Sequence, residues 1–215
     1  MKFFPLILLL PVLSSAEPVP LLEDLSAWTT LSGKPAVSAE DGWLFKDGTL
    51  HRAGKAGDLL SKKLYGDFTL TFEWKIASGT NSGVKYRVTD YDGKKLGMEY
   101  QIIDDGVHKD SKDPKRQAAT VYALFPASGE KQVKPVGEWN TSKVVAHGTK
   151  IEHWLNGALV VSYDTASADF DAAVAASKFK KVEGFGKNAE GKILIQDHGD
   201  PVWYRNMTID TNTDD

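Results

Sequence analysis

Apolar and polar residues alternate along several short segments of the chain. In residues 67–76 every second residue is large and apolar, and the residues between them are polar. The same alternation recurs in residues 82–90 and 97–103. A period of two residues is typical of a β-strand with one face in a core. The predicted core faces comprise Phe68, Leu70, Phe72 and Trp74 in the first segment, Val84, Tyr86 and Val88 in the second, and Met98, Tyr100 and Ile102 in the third.

Turn signals separate these strands, and helical patterns are rare. "YDGK" at residues 91–94, His147-Gly148 and Asn156-Gly157 predict turns, and the last pair favours a type I′ hairpin. Residues 168–179 predict the one convincing helix. Because the strands do not alternate with helices, a parallel α/β sheet is disfavoured. The sequence therefore predicts an all-β fold: a two-sheet antiparallel sandwich of jelly-roll type with one short helix.

The N-terminal segment, residues 1–16, is typical of a secretory signal peptide. Lys2 precedes an apolar run over residues 3–13, and the small residues Ser14 and Ala16 suit a cleavage site. The run is too short to span a bilayer, which takes about 20 apolar residues. We therefore expect an exported protein, periplasmic or extracellular, with no membrane span after cleavage. Residues 17–215 are expected to form a single domain.

Composition excludes several classes of function. The chain has no cysteine, which excludes thiol catalysis and disulfides. Its formal net charge is −3 and it has no long basic run, so nucleic acid is not an expected partner. The sequence predicts no cofactor, and it establishes neither a bound metal ion nor an oligomeric state.

The strand over residues 97–103 carries acid and amide side chains opposite its apolar face. Glu99 and Gln101 share that face, and Asp104 joins them only through a bulge or at the strand end. The spacing resembles the E-x-D-x-x-E strand of retaining glucanases, but Gln and Asp replace two of its acids. If the preceding strand pairs with this one, Lys85 and Arg87 should both face Glu99 and Gln101. The alternative is an exposed strand with cross-strand salt bridges.

Other candidates come from the ends of predicted strands. His198 in "QDHG" could carry a proton near neutral pH, and Gln196 should lie on the same face. A purely structural histidine is the alternative. Asn81 opens "NSG", where turn formation would explain it equally well. Trp139 could stack on a sugar or belong to the core, and Arg205 and Asn206 should point in opposite directions, so only one of them can face a cleft.

The order of these motifs resembles that of a known family. "NSGVKYR" (81–87), "GMEYQIID" (97–104), "GEWN" (137–140), "LNG" (155–157) and "ILIQDHGDPVWYRNMTI" (193–209) are similar to motifs of the DUF1080 family, also called the 3-keto-disaccharide hydrolase domain. The resemblance covers about residues 20–210. It implies a concanavalin A-like jelly roll that binds its ligand on a concave face, and an exported enzyme that cleaves 3-keto-glycosides. Tyr204 and Lys85 depart from the usual residues of the family.

Three functions compete on this evidence. The leading hypothesis is an enzyme that cleaves 3-keto-disaccharides by C2 deprotonation, β-elimination and hydration. The alternatives are a non-catalytic, lectin-like carbohydrate-binding module and a retaining glucanase; all three have a carbohydrate as partner. The expected catalytic residues are Glu99, His198 and Asp104, and the expected substrate-binding residues are Asn81, Lys85, Arg87, Gln101, Trp139, Gln196 and Arg205.

Overall fold

The computed structural model describes residues 17–211. The predicted signal segment, residues 1–16, lies outside the described residues, as do residues 212–215. Within residues 17–211 the elements in chain order are β1 (Val19–Pro20), β2 (Trp28–Thr30), β3 (Trp43–Lys46), β4 (Thr49–Arg52), β5 (Leu59–Ser61), β6 (Phe68–Ile76), β7 (Asn81–Tyr91), β8 (Lys94–Ile103), two 3₁₀-helices (Lys109–Lys112 and Pro114–Arg116), β9 (Asn140–His147), β10 (Lys150–Leu155), β11 (Ala158–Asp164), α1 (Ala168–Ala175), β12 (Lys192–Ile195) and β13 (Val202–Asp210).

The strands form two antiparallel sheets. In the described part of the chain, the larger sheet has eight strands in the order β11-β10-β9-β6-β13-β4-β3, with β1 paired to β13. The smaller sheet has five strands in the order β2-β5-β12-β7-β8. The predicted antiparallel sandwich is therefore confirmed.

Alternation places the large apolar side chains between the two sheets. Phe68 and Phe72 of β6 contact Tyr86 of β7 and Tyr100 of β8 across the sandwich, with ring centroids 6.4 and 5.5 Å apart. All four side chains are fully buried. Removing this apolar area from water supplies the main free energy of folding. The alternate residues of β7 and β8 consequently face outward, away from the core, and these outward residues form the site described below.

The predicted helix and hairpin turns are present, although the turn between β9 and β10 is formed by residues 148–149 instead of His147-Gly148. β10 and β11 are joined by Asn156-Gly157, and both residues have the positive φ angles, 49° and 88°, that a type I′ turn requires. The helix begins after Ser167, whose side chain accepts a hydrogen bond from the Phe170 backbone N–H. It ends at Ala175 rather than at residue 179, and the chain then turns so that Phe179 packs on Phe185.

A β-bulge changes the predicted orientation of the second half of β7. The register to β8 shifts between Tyr86 and Thr89, and Arg87 has a positive φ of 49°. As a result, Val88 leaves the core face and contacts Leu60 and Leu194 in a separate cluster. The expectation that Val88 shares a face with Tyr86 is therefore wrong. The bulge is accommodated by Gly191, where a β-carbon would stand only 2.3 Å from the carbonyl carbon of Arg87.

Candidate active site

A half-enclosed pocket of about 100 Å³ lies on the outward face of the five-stranded sheet. The side chains that line it come from strands β7 and β8, from the segment that follows β12, and from two segments that cross the face. They are Asn81, Lys85, Glu99, Gln101, Tyr122, Lys178, Gln196 and His198. Six of these eight are among the residues expected from the sequence, whereas Tyr122 and Lys178 are not.

Glu99 lies at the centre of the pocket and is 7% exposed. It is the cross-strand partner of Lys85, and its Oε2 is 3.8 Å from Lys85 Nζ. Its other oxygen lies over Gly83, where an added β-carbon would be 2.5 Å from Oε1. The absence of a side chain at residue 83 therefore makes room for the Glu99 carboxylate. Burial raises the pKa of the Glu99 carboxyl, although Lys85 and Lys178 act in the opposite direction.

Two amide oxygens in the pocket lack a hydrogen-bond partner. Gln101, 1% exposed, donates through Nε2 to Asn81 Oδ1 at 3.1 Å, but its buried Oε1 accepts from no group. The buried Oε1 of Gln196 is unpartnered in the same way. Buried polar atoms are nearly always paired, because leaving one unpaired costs about 1–3 kcal/mol. Two unpaired acceptors in one pocket therefore indicate a site for a ligand with hydroxyl or N–H donors.

Tyr122 reaches the pocket because its segment covers the edge strand β8. The Tyr122 N–H donates to the Glu99 carbonyl, and the Ala119 N–H donates to the Gln101 carbonyl. Ala119 and Ala123 take positive φ angles of 66° and 63°, so the segment turns sharply on both sides of Tyr122. Covering an edge strand in this way satisfies backbone groups that would otherwise face solvent. It also holds Tyr122 beside Glu99.

Lys178 enters from the segment that follows α1. Its Nζ lies 4.2 Å from the centroid of the Tyr122 ring, a cation–π contact, and the adjacent Phe179 anchors the segment in the core. Burial of the ammonium and repulsion from Lys85 lower the pKa of Lys178, while Glu99 opposes this shift. The pocket thus brings two lysine side chains close to one buried carboxylate.

His198 lies at the mouth of the pocket and is exposed. The neighbouring Asp197 positions this turn: its carboxylate accepts from Arg52 Nε at 2.7 Å and from the backbone N–H groups of Ala56, Gly57 and Gly199. Burial opposes ionisation, but these hydrogen bonds outweigh it and lower the pKa of Asp197.

Asp58 is a further acid near the site that the sequence did not indicate. Its Oδ1 accepts from the Asp197 N–H at 2.9 Å, and it interacts electrostatically with Lys85 and His198. Burial raises the pKa of Asp58. It does not line the pocket.

Asp104, expected to be catalytic, lies outside the pocket. It follows the last residue of β8, and its side chain accepts from the backbone N–H groups of Gly79 and Gly106 at 2.8 and 2.9 Å. These contacts fix the two loops at the end of the strand. The position therefore corrects the expectation of direct chemistry and supports a role in loop structure.

Arg87 does not face Glu99 as expected. The bulge turns its side chain toward the Gly66 carbonyl, 3.2 Å from Nη2, and toward Asp67, 3.3 Å away. The expectation failed because strict alternation does not hold across a bulge.

Trp139 and Arg205 lie on the outward side of the other sheet. Arg205 pairs with Glu73 of β6, with Nη2 2.7 Å from Oε2, and its guanidinium lies 4.1 Å from the centroid of the Trp139 ring. Because Glu73 alternates with the core residues of β6, this pair is on the opposite side of the sandwich from Glu99. The expectation that Trp139 and Arg205 bind substrate beside Glu99 is therefore wrong.

Two further properties of the described residues bear on the site. Across residues 17–211, no group of three or more His, Asp and Glu side chains is arranged to hold a metal ion. In the same range, none of the helices has both the length and the apolar character needed to cross a membrane.

Solved structures share this fold. The chain has a TM-score of 0.79 and 30% identity to a protein described as a glycosyl hydrolase from Parabacteroides distasonis, covering 89% of this chain and 92% of that one. A second protein of the same description and organism has a TM-score of 0.65 and 28% identity, with 85% and 98% of the chains covered. A Bacillus subtilis protein with a galectin-like fold, at 11% identity and a TM-score of 0.56, shares the fold over 91% of this chain and 94% of its own. These similarities agree with the jelly-roll sandwich.

Sequence relatives define the family. A protein named 3-keto-disaccharide hydrolase from Bacteroides thetaiotaomicron is 33% identical over 209 residues, which is 86% of this chain and 70% of that protein. The sequence profile of the 3-keto-alpha-glucoside-1,2-lyase-like domain matches residues 18–210. The match includes the strands and loops that form the pocket around Glu99. The chain therefore belongs to the 3-keto-alpha-glucoside-1,2-lyase-like domain family.

Proposed function

We propose that this protein is a carbohydrate-active enzyme that cleaves the glycosidic bond of 3-keto-glycosides, including 3-keto-disaccharides. The observation that carries the proposal is the composition of the pocket. Glu99 is the only carboxylate among the described residues that line it, and it is buried beside Lys85 and near Lys178. The family and the relative named 3-keto-disaccharide hydrolase support the substrate class.

A single lining carboxylate argues against an ordinary glycosidase mechanism. Retaining enzymes use two carboxyl groups about 5–5.5 Å apart, and inverting enzymes use two that are about 6.5–9.5 Å apart. Here the cross-strand neighbour of Glu99 is Lys85, a cation. A base next to cations suits a reaction that removes a proton and develops negative charge on the substrate.

In the first step, Glu99 takes the proton from C2 of the sugar. The C3 ketone acidifies this proton because the electrons of the broken C–H bond delocalise onto the carbonyl oxygen as an enolate. Lys85 and Lys178 stabilise the developing oxyanion. The raised pKa of Glu99 makes it a stronger base than an exposed glutamate.

In the second step, the enolate electrons form a double bond between C1 and C2, and the bond from C1 to the leaving oxygen breaks. His198 donates a proton to that oxygen, and its exposure allows it to exchange protons with solvent. Water then adds through its oxygen to C1, His198 takes the proton that this water loses, and Glu99 returns its proton to C2. The net reaction is hydrolysis.

The remaining side chains hold the sugar. The unpaired Oε1 atoms of Gln101 and Gln196 accept hydrogen bonds from sugar hydroxyl groups. The ring of Tyr122 limits the pocket on the side of Lys178. In this mechanism the amide oxygens of Gln101 and Gln196 bind the substrate, and Glu99 and His198 transfer protons.

Product analysis tests the proposal directly. The protein should cleave a 3-keto-disaccharide and leave the unoxidised parent intact, and the C2 hydrogen should exchange with deuterated solvent or show a primary isotope effect. Equal cleavage of the parent, together with a covalent adduct from a 2-fluoro sugar, would instead identify a retaining glucanase. Binding of both sugars without turnover of either would identify a lectin-like module.

A further inference from the structure

Asp58 is a partly buried acid on the same face of the five-stranded sheet as the candidate active site. It directly precedes Leu59, which packs in the main core, whereas Leu60 belongs to a separate cluster with Leu194. Because side chains alternate along an extended chain, Asp58 and Leu60 point to the same side, away from the core. The Asp58 carboxylate therefore lies on the outward face that carries Glu99.

The strand register places Asp58 beside Gln196, which lines the pocket. Leu59 pairs with Ile195 in the antiparallel ladder of β5 and β12, so one residue further along Asp58 lies opposite Gln196. The Asp197 N–H donates a hydrogen bond of 2.9 Å to Asp58 Oδ1, which fixes the carboxylate at this position. Asp58 is thus held next to the pocket without lining it, and it does not reach a sugar bound there.

Lys85 lies between the carboxylates of Asp58 and Glu99. Its strand, β7, is separated from β5 by β12 alone and pairs on its other side with β8. The Lys85 ammonium is 3.8 Å from Glu99 Oε2, which is longer than the about 2.7–3.2 Å of a hydrogen bond. Asp58 attracts the same ammonium from the other side. The long contact with Glu99 is what such a shared cation should show.

We propose that Asp58 is a positioning residue for Lys85: its carboxylate draws the ammonium away from Glu99 and so keeps Glu99 available as a base. The catalytic value of this arrangement rests on the proposed function, whereas the position of Lys85 does not. A lysine hydrogen-bonded to Glu99 would stabilise the ionised carboxylate and weaken it as a base. A lysine shared with Asp58 also keeps N–H donors free for the oxyanion that develops on the sugar.

The charges around Glu99 give the proposal a measurable consequence. The titratable groups that interact with Glu99 from the surrounding elements are Lys85, Lys178, His198, Asp58 and Tyr122. Lys85, Lys178 and His198 lower the pKa of Glu99, and Asp58 raises it. Removing the charge of Asp58 should therefore lower the pKa of Glu99 in two ways, by loss of repulsion and by closer approach of Lys85.

Asp58→Asn separates the charge of Asp58 from its structural contact, because the amide oxygen can still accept from the Asp197 N–H. Titration of the Glu99 carboxyl by carbon-13 NMR, assigned with Glu99→Gln, requires no substrate. It should give a lower pKa for Glu99 in Asp58→Asn than in wild type. A crystal structure of the variant should show the contact between Lys85 and Glu99 shortened from 3.8 Å to about 2.9 Å.

Kinetics on a 3-keto-glycoside provide the functional measurement. In Asp58→Asn, kcat should fall by about tenfold, less than the loss of about 10²–10⁴-fold on removal of a general base. The acid limb of kcat/KM should move to lower pH. Asp67→Asn is the matched control, because the Asp67 carboxylate also accepts from a backbone N–H, that of Gly148, and pairs with a cation, Arg87, outside the pocket. It should leave both kcat and the pKa of Glu99 unchanged.

A double-mutant cycle with Lys85→Met tests whether Asp58 acts through Lys85. In that background, Asp58→Asn should change the pKa of Glu99 by less than it does in wild type. An equal change in both backgrounds would overturn the inference, since Asp58 would then act on Glu99 directly. So would an unchanged pKa of Glu99 in Asp58→Asn, which would leave Asp58 only its contact with the turn at Asp197. If the pKa falls as expected but the wild type cleaves no 3-keto-glycoside, the proposed function fails and the positioning of Lys85 stands.

Discussion

Gly83 and Glu99 are diagonal neighbours on the adjacent strands β7 and β8, and Gly83 lacks a side chain at the point where Glu99 places its carboxylate. A β-carbon on Gly83 would stand 2.5 Å from Oε1 of Glu99 and 3.0 Å from its Cγ. The first distance is shorter than real β-carbons show and the second is tight, so the Glu99 carboxylate could not keep its position beside an added methyl group. The glycine of "NSG" thereby determines where the proposed base lies.

Gly83→Ala should therefore reduce activity without unfolding the protein. The backbone φ of Gly83 is not positive, so alanine fits the strand, but its methyl group displaces the Glu99 carboxylate. A displacement of about 1 Å can cost about 10²-fold in rate. Steady-state kinetics and thermal melting measure the two effects. Gly129→Ala is the control, since a β-carbon there meets no atom within 4 Å. A wild-type kcat in Gly83→Ala would contradict the assignment of Glu99.

Glu99→Gln should slow turnover by about 10²–10⁴-fold, the range of a general base. The folded-state pKa of Glu99 is raised, so ionising it costs stability, and the wild type becomes less stable as pH rises through that pKa. Glu99→Gln does not ionise and so avoids this loss of stability. Its melting temperature at neutral pH should be no lower than that of the wild type. In the pH profile of wild-type kcat/KM, the apparent pKa of the acid limb should lie above 4.5, the ordinary pKa of glutamate.

Asp104→Asn provides the comparison for Glu99→Gln. It weakens the hydrogen bonds that the Gly79 and Gly106 N–H groups donate to this side chain outside the pocket. The melting temperature should therefore fall, while kcat stays near the wild-type value. If Asp104→Asn lost as much rate as Glu99→Gln, a second carboxylate would be needed in the mechanism.

The sequence predicts those parts of the site that depend on strand alternation. Glu99 and Gln101 share a face because they are two residues apart on β8. Gln196 and His198 also line the same pocket as expected, although both follow the end of β12 at Ile195. The Asn156-Gly157 hairpin also follows from local chemistry, since both residues accept positive φ angles. These features need no knowledge of distant residues.

Other parts of the site depend on distant contacts and could not be predicted. The orientation of Arg87 depends on a bulge that Gly191 accommodates, more than a hundred residues along the chain. Tyr122 reaches Glu99 because its loop pairs with the edge of β8, and Lys178 does so because Phe179 is buried. No local pattern in the sequence marks either residue as part of the site.

Asp197→Ala should lower the stability of the protein. It removes the acceptor of the Arg52 guanidinium and of three backbone N–H groups, which we expect to cost about 3 kcal/mol of the free energy of unfolding. Because the folded-state pKa of Asp197 is lowered, its stabilisation is present above the ordinary value of 3.8 and is lost as pH falls through the folded pKa. The melting temperatures of the variant and the wild type, measured from pH 2 to 7, should therefore converge at the acid end. The exposed Asp24→Ala serves as control.

Export is proposed from residues 1–16 alone. If these residues are a signal peptide, the protein recovered from the periplasm or medium should begin at Glu17. N-terminal sequencing of that fraction measures this. Recovery of an intact Met1 from the cytosol alone would contradict the proposal.

Gln101→Met should remove one specific hydrogen bond to the sugar. The buried Oε1 of Gln101 accepts from no protein group, so in the complex we expect it to accept from a sugar hydroxyl. Loss of such a bond corresponds to about 1–3 kcal/mol, or roughly 10- to 100-fold in kcat/KM. Gln117→Met is the control, because the amide of Gln117 is paired with Ser111 and Lys131 outside the pocket.

Deoxy sugars identify which hydroxyl group Gln101 binds. The wild type should discriminate against the 3-keto substrate that lacks this hydroxyl, since the Oε1 atom of Gln101 is then buried without a partner. Gln101→Met should accept the deoxy and the parent substrate about equally, because neither can form the bond. A double-mutant cycle of enzyme variant against substrate analogue gives the coupling free energy. Additive effects for every deoxy analogue would show that the unpaired oxygen of Gln101 does not contact the sugar.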